Sequence, residues 1–111
     1  MPNRINQITK KFIEEVSKLI GTRLKKVILY GSYARGDFDK NSDIDIMILT
    51  DFSDEELKTY RIKIRDIACD IEEEYDVIIS PTVRNIDKYN ARTNVIPFYI
   101  NVQKEGVVLH G

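Results

Sequence analysis

Apolar residues recur along the first twenty positions at spacings of three and four, through Ile5, Ile8, Phe12, Val16 and Leu19. That rhythm predicts an amphipathic helix from about Asn3 to Ile20, with Gly21 as its terminator. The period then changes. Lys26 to Tyr30 contains the run Val27-Ile28-Leu29-Tyr30, which reads as a short buried strand ended by Gly31. Ser42 to Thr50 reads as a second strand, with Ile44, Ile46 and Ile48 on one face and Asp43, Asp45 and Met47 on the other. Ser53 followed by Glu56 gives a capping-box start for a second long helix, reaching Tyr75. Its stripe is Leu57, Tyr60, Ile64, Ile67, Ile71 and Tyr75, and Cys69 within it reads as core. A third strand is expected from Asp76 to Ser80, stopped by Pro81. Residues from about Asn85 to Asn94 are polar and read as partly helical or loop. Pro97 opens a helix through Lys104, Gly106 ends it, and Val107-Val108-Leu109 forms a last short strand. No repeat, low-complexity tract or linker interrupts the series, so the reading is one continuous α/β unit over residues 1–111.

Size and charge narrow the function classes. A chain of 111 residues has room for one core. With 42% hydrophobic and 32% charged residues, it has the composition of an ordinary soluble protein. The formal net charge of -1 gives no general pull toward nucleic acid, which is not expected as a direct substrate. The one cysteine excludes an internal disulfide and fits a reducing, cytoplasmic home. The charged N-terminal stretch lacks the apolar region of a secretory signal. Apolar runs fall far short of the ~20 residues that cross a bilayer, so no membrane role is expected.

The second strand is where the pattern turns into chemistry. Two ionisable groups on one face of an otherwise apolar strand need a partner, because unpaired buried charge is costly. Asp43 and Asp45, two apart, aim at one spot beside the Gly31-Ser32 turn. Mg²⁺ takes oxygen ligands, commonly one or two carboxylates plus substrate phosphates and water. Two such ions can serve both the attacking and the leaving oxygen of a phosphoryl transfer. Asp43 and Asp45 could bridge both ions, and Asp76, read as opening a neighbouring strand, could complete the site and accept the nucleophile's proton. Three converging carboxylates would destabilise the fold without compensating charge, since two of them ~4 Å apart repel by roughly 4 kcal/mol at an effective dielectric near 20. Gly31 lets backbone approach a phosphate without a Cβ in the way. Ser32 and nearby N–H groups could hold the β- and γ-phosphates. Arg35 either contacts phosphate or pairs with a nearby acid and braces the turn. Neither GxxxxGK[ST] nor GxGxxG occurs. Asp37 and Asp39 read as loop charges, Glu72-Glu73-Glu74 as the wet end of a helix, and His110 as an exposed tail.

The stretch GSYARGDFDKNSDIDIMIL resembles the signature of the DNA polymerase beta nucleotidyltransferase superfamily, and more narrowly that of the minimal nucleotidyltransferases. The ending PFYINVQKEGVVLHG is similar to that group's tail, so the resemblance spans almost the whole chain. It implies an α/β (α+β) fold, the polymerase-beta-like palm, with a mixed sheet of about four strands flanked by helices. It implies that Asp43, Asp45 and Asp76 are the metal-binding catalytic acids. It gives Gly31 and Ser32 to a nucleoside triphosphate, with Arg35 as a further candidate. Two Mg²⁺ ions, with ATP as the nucleotide, are the expected cofactor and substrate. No acceptor-binding domain is expected to fit in this length, so the nucleophile should come from another molecule or a second subunit. The family implies a small helical HEPN-type protein as partner. The leading expectation is an antitoxin that transfers AMP to a tyrosine hydroxyl of such a toxin. The alternatives are a nucleotide-binding module that silences its partner by occlusion, and a transferase whose small-molecule acceptor pocket spans a homodimer.

Overall fold

In the computed structural model, which describes residues 3–111, the first helix (α1) runs Asn3–Ile20. It presents the expected stripe, burying Ile5, Ile8, Phe12 and Val16 almost completely. A single 3-10 turn, Gly21–Arg23, leads into strand β1 (Leu24–Tyr30). The short helix α2 (Ser32–Arg35) follows directly, and a loop then delivers β2 (Ile44–Thr50). The long helix α3 (Asp54–Tyr75) returns the chain to β3 (Ile79–Asn85). Helices α4 (Ile86–Ala91) and α5 (Pro97–Glu105) precede the short last strand β4 (Val107–His110).

The strands form one mixed sheet in the order β3-β2-β1-β4. β1 runs antiparallel to both β2 and β4, while β2 and β3, joined through α3, are parallel. The mixed sheet of four strands flanked by helices is the architecture the resemblance implied. Alternation along β2 splits the apolar side chains between two cores. Ile44, Ile46 and Ile48 meet α1 and α3 on one face. Met47 and Leu49 meet Tyr89, Tyr99 and Val102 of α4 and α5 on the other. Burying one such side chain contributes about 1.5–3 kcal/mol, so the continuous run on β2 anchors both layers.

Helix α3 starts with both capping-box bonds in place: Ser53 Oγ accepts from the Glu56 N–H and Glu56 Oε1 accepts from the Ser53 N–H. Glu56 also receives both Nη groups of Arg23 at 3.1 Å, and Arg23 donates to Asp51 and lies 4.5 Å from the centre of the Phe52 ring. The Arg23 hydrogen bond, aided by the Ser53 N–H, brings the Glu56 carboxyl down to about 2. A carboxyl lowered by folding supports the fold above its usual value near 4.5, and that support drains away as pH falls toward the folded value. The melting temperature is therefore expected to decline between pH 4.5 and 2, and Glu56→Gln to flatten that decline. Thermal melts across this range check it; an unchanged slope in the variant would exclude the pair as its origin.

The third strand corrects the sequence reading. Asp76 does not open it: Asp76 is the C-cap of α3, left-handed at φ 54, with its N–H on Glu72 O. β3 begins at Ile79 and runs straight through Pro81 to Asn85. Proline is tolerated because β3 is an edge strand and Pro81 belongs to the set whose backbone points outward. Within that set, Ile79 N donates to Glu72 Oε2 at 2.8 Å, Ile79 O accepts from Arg65 at 2.9 Å, and Val83 O accepts from Arg61 at 2.9 Å. Side chains of α3 thus cover the open edge, which otherwise invites pairing with another chain. Glu72 is accordingly a helix-to-strand clamp, not part of a wet helix end. Cys69 is exposed, one position off the buried Ala68, so it is not core. His110 is exposed but pairs with Val27 at the end of β4. No helix among the described residues is long and apolar enough to cross a membrane.

Candidate active site

The end of β1 and the start of β2 meet at one corner of the sheet. β1 closes with Tyr30, and Gly31 follows at φ 77 and ψ -156, a conformation that side-chain-bearing residues avoid. Gly31 O accepts the N–H groups of Ala34 and Arg35 at 3.1 and 3.0 Å, which winds α2 into its single turn. The N–H groups of Ser32 and Tyr33, at the start of that turn, have no acceptor within the helix. Gly36, left-handed at φ 87, ends it.

Antiparallel register places Asp45 opposite Tyr30, directly over Gly31. A Cβ on Gly31 would collide with the Asp45 carboxylate. Burial first, and the charge of Asp43 second, push the Asp45 carboxyl above its usual range, with Arg35 acting in the opposite direction. Asp43, just ahead of β2, accepts a long bond of 3.4 Å from Ser80 Oγ. Tyr30 Oη and Thr82 Oγ1 lie 3.2 Å apart, and Phe98 of α5 stands edge-on to Tyr30 with ring centres 5.5 Å apart. A hollow of about 260 Å³ opens beside Gly31, lined by Tyr30, Arg35, Phe98, Asn101 and Glu105.

Two of the three expected acids, Asp43 and Asp45, therefore share this corner with Gly31 and Ser32, and the third does not. Asp76 lines a separate hollow with Arg4, Tyr33, Lys40, Asn41 and Ser42. Among the described residues, no three His, Cys, Asp or Glu side chains gather to hold a metal. The physical reason is the helix cap: α3 runs through to Tyr75, and its left-handed exit leaves Asp76 outside the sheet. Arg35 pairs with Asp37 at 3.1 Å and Glu105 at 3.3 Å, so it braces α2 against α5. Asp37 is thus a paired group, and Asp39 Oδ1 accepts the Asn41 N–H at 2.7 Å in a local turn.

Sequence reasoning missed Ser80, Thr82 and the α5 residues around the hollow. The signal for the first two is the alternation Ile79, Ser80, Pro81, Thr82, Val83, legible only once the strand is allowed to continue through the proline. The charge of exposed Asp43 acts on the half-buried Asp45 carboxylate, and a cation between them would offset that repulsion.

Residues 9–105 match the family model described as "Nucleotidyltransferase domain". A Methanocaldococcus jannaschii protein named "Putative protein adenylyltransferase MJ0604" is 37% identical over 101 residues, covering 91% of this chain and 93% of that protein. Among solved structures, a toxin-antitoxin with AMP-PNP aligns at a TM-score of 0.59 and 19% identity, over 99% of this chain and 74% of the other. A structure described as a putative minimal nucleotidyltransferase aligns at a TM-score of 0.53 and 16% identity, covering 96% and 95%. At these identities the two structures speak for the fold alone.

Proposed function

The chain belongs to the nucleotidyltransferase domain family, and on that premise we propose that it transfers AMP from ATP to a hydroxyl of a partner protein. The observation that carries this reading is the Asp45 carboxylate lying against the Gly31 backbone, where only glycine fits. It sets a cation site beside a turn with unengaged N–H groups, as transfer of a charged phosphoryl group requires. Asp43 and Asp45 are the residues that would hold Mg²⁺ beside the bound nucleotide. The ion supplies positive charge against the triphosphate oxygens.

The turn N–H groups and the Ser32 hydroxyl receive the β- and γ-phosphates, and Gly31 allows their close approach. Arg35, paired with Asp37 and Glu105, braces that turn and sets its positive charge beside the same phosphates. The acceptor oxygen then bonds the α-phosphorus in line with the leaving group. Its proton passes to solvent, the bond to the β-phosphate breaks, and pyrophosphate leaves. A small helical HEPN-type protein, encoded beside this chain and presenting a tyrosine, is the partner we infer. The adenylyltransferase name of the relative, and the toxin-antitoxin description of a fold neighbour, support a protein as the acceptor. Both proteins would meet in the cytoplasm.

Co-expression with the partner followed by intact-mass spectrometry tests the reading. Addition of one or more AMP units to the partner is the expected result. An unmodified partner that is nonetheless silenced would favour occlusion, and transfer to a small alcohol instead would move the acceptor to the small-molecule class.

A further inference from the structure

Three strands place one side chain each in a row across the face of the sheet that carries the acids. Tyr30 of β1 pairs with Asp45 of β2, and Asp45 pairs with Ser80 of β3. Residues paired in register on adjacent strands have side chains on the same face and within reach of each other. Ser80 is thus the β3 neighbour of the acid pair, and its Oγ lies 3.4 Å from Asp43 Oδ2. The next β3 residue on this face, Thr82, is occupied with Tyr30 Oη at 3.2 Å. No carboxylate stands on β3 at all, since the strand reads Ile79-Ser80-Pro81-Thr82-Val83-Arg84-Asn85. Asp76 lies outside the sheet and lines a different hollow.

The geometry points to Ser80 as a positioning residue of the cation site, whose hydroxyl donates to the Asp43 carboxylate and steers it from the β3 position where a third acid would otherwise sit. This rests on the transferase reading above and deepens it. A hydroxyl donates to Asp43 without adding charge, so the empty site keeps two negative groups and not three. Such a site holds a divalent cation weakly by itself, and the triphosphate supplies the missing negative oxygens. Cation and nucleotide therefore bind as a pair, each strengthening the other. It also leaves no carboxylate on β3 to take the acceptor's proton.

The test is direct titration of the full chain with Mn²⁺, with and without AMP-PNP, reading free ion by its electron paramagnetic resonance signal. Wild type should bind Mn²⁺ at least tenfold more tightly when AMP-PNP is present. Ser80→Asp, which adds the third charge, should bind Mn²⁺ at least tenfold more tightly than wild type without nucleotide. Ser80→Ala should weaken the AMP-PNP-dependent binding several-fold, and Ser80→Thr should restore it. Asp76→Asn should match wild type, because asparagine tolerates the left-handed cap. Melting curves recorded alongside show that each variant is folded, and the Ala and Thr pair decides the matter if Ser80→Asp is not. Equal Mn²⁺ affinity in Ser80→Ala and wild type, or a loss in Asp76→Asn, would overturn the role of Ser80 alone. A wild-type protein that bound no Mn²⁺ even with AMP-PNP would overturn the transferase reading with it.

Discussion

Asp45→Asn is expected to lower AMP transfer by at least about 10²-fold, the scale on which loss of a single charge-stabilising group acts, while the protein melts no earlier than wild type. The two halves of this expectation come from the same geometry. Asparagine keeps the shape that packs on Gly31 but removes the charge proposed to hold a cation. Burial and the neighbouring Asp43 hold the Asp45 carboxyl above its usual range, so its ionised form opposes folding. That opposition acts above the folded value and disappears once pH falls below the unfolded value, where the group is protonated in both states. A neutral side chain removes the opposition at neutral pH. In metal-free buffer the variant should therefore melt at the same temperature as wild type or higher. Labelling of the partner from radiolabelled ATP, read beside a thermal melt, checks both. Transfer within tenfold of wild type would show that Asp45 holds no essential cation, whatever the melt.

Gly31→Ala is expected to damage both fold and activity, and Gly36→Ala only the fold. Both glycines have positive φ, at 77 and 87, so an added Cβ strains the backbone by about 1–3 kcal/mol at either site. For a domain of this size each kcal/mol lowers the melting temperature by about 4–8 °C. The difference between the two lies in what surrounds the new atom. At Gly36 nothing stands within 4 Å, whereas at Gly31 the Cβ drives into the Asp45 carboxylate. Displacing that carboxylate would move the proposed cation site away from the proposed phosphate turn, and misplacement by about 1 Å can cost roughly 10²-fold in rate. Gly36→Ala should retain most of its transfer activity at a temperature where both variants are folded. Equal activities in the two variants would break the link between the turn and Asp45.

The parts that sequence made legible depend on local pattern. The stripe of α1, the capping box of Ser53 and Glu56, and the alternation along β2 each declare an element within a dozen residues. The Gly31-Ser32 turn and the Asp43/Asp45 pair were legible for the same reason, since two neighbouring strands and a short connection fix their placement. β3 was not. Its limits depend on lying at an edge where Pro81 needs no ladder bond, and on α3 clamping its free backbone groups through Arg61, Arg65 and Glu72. Cys69 was misplaced by a single helical position, with Ala68 taking the buried side. Arg35 could be assigned two roles from sequence, and only the approach of Glu105 on α5 shows it bracing the turn.

By itself the sequence determined α1, α3 and α5, the two central strands and a pair of acids beside a glycine turn, because period, caps and i, i+2 parity act between near neighbours. Tertiary structure alone decided what stands next to that pair. A strand's face and register are set by its partners across the sheet, so Ser80 arrived at the acids and Asp76 did not.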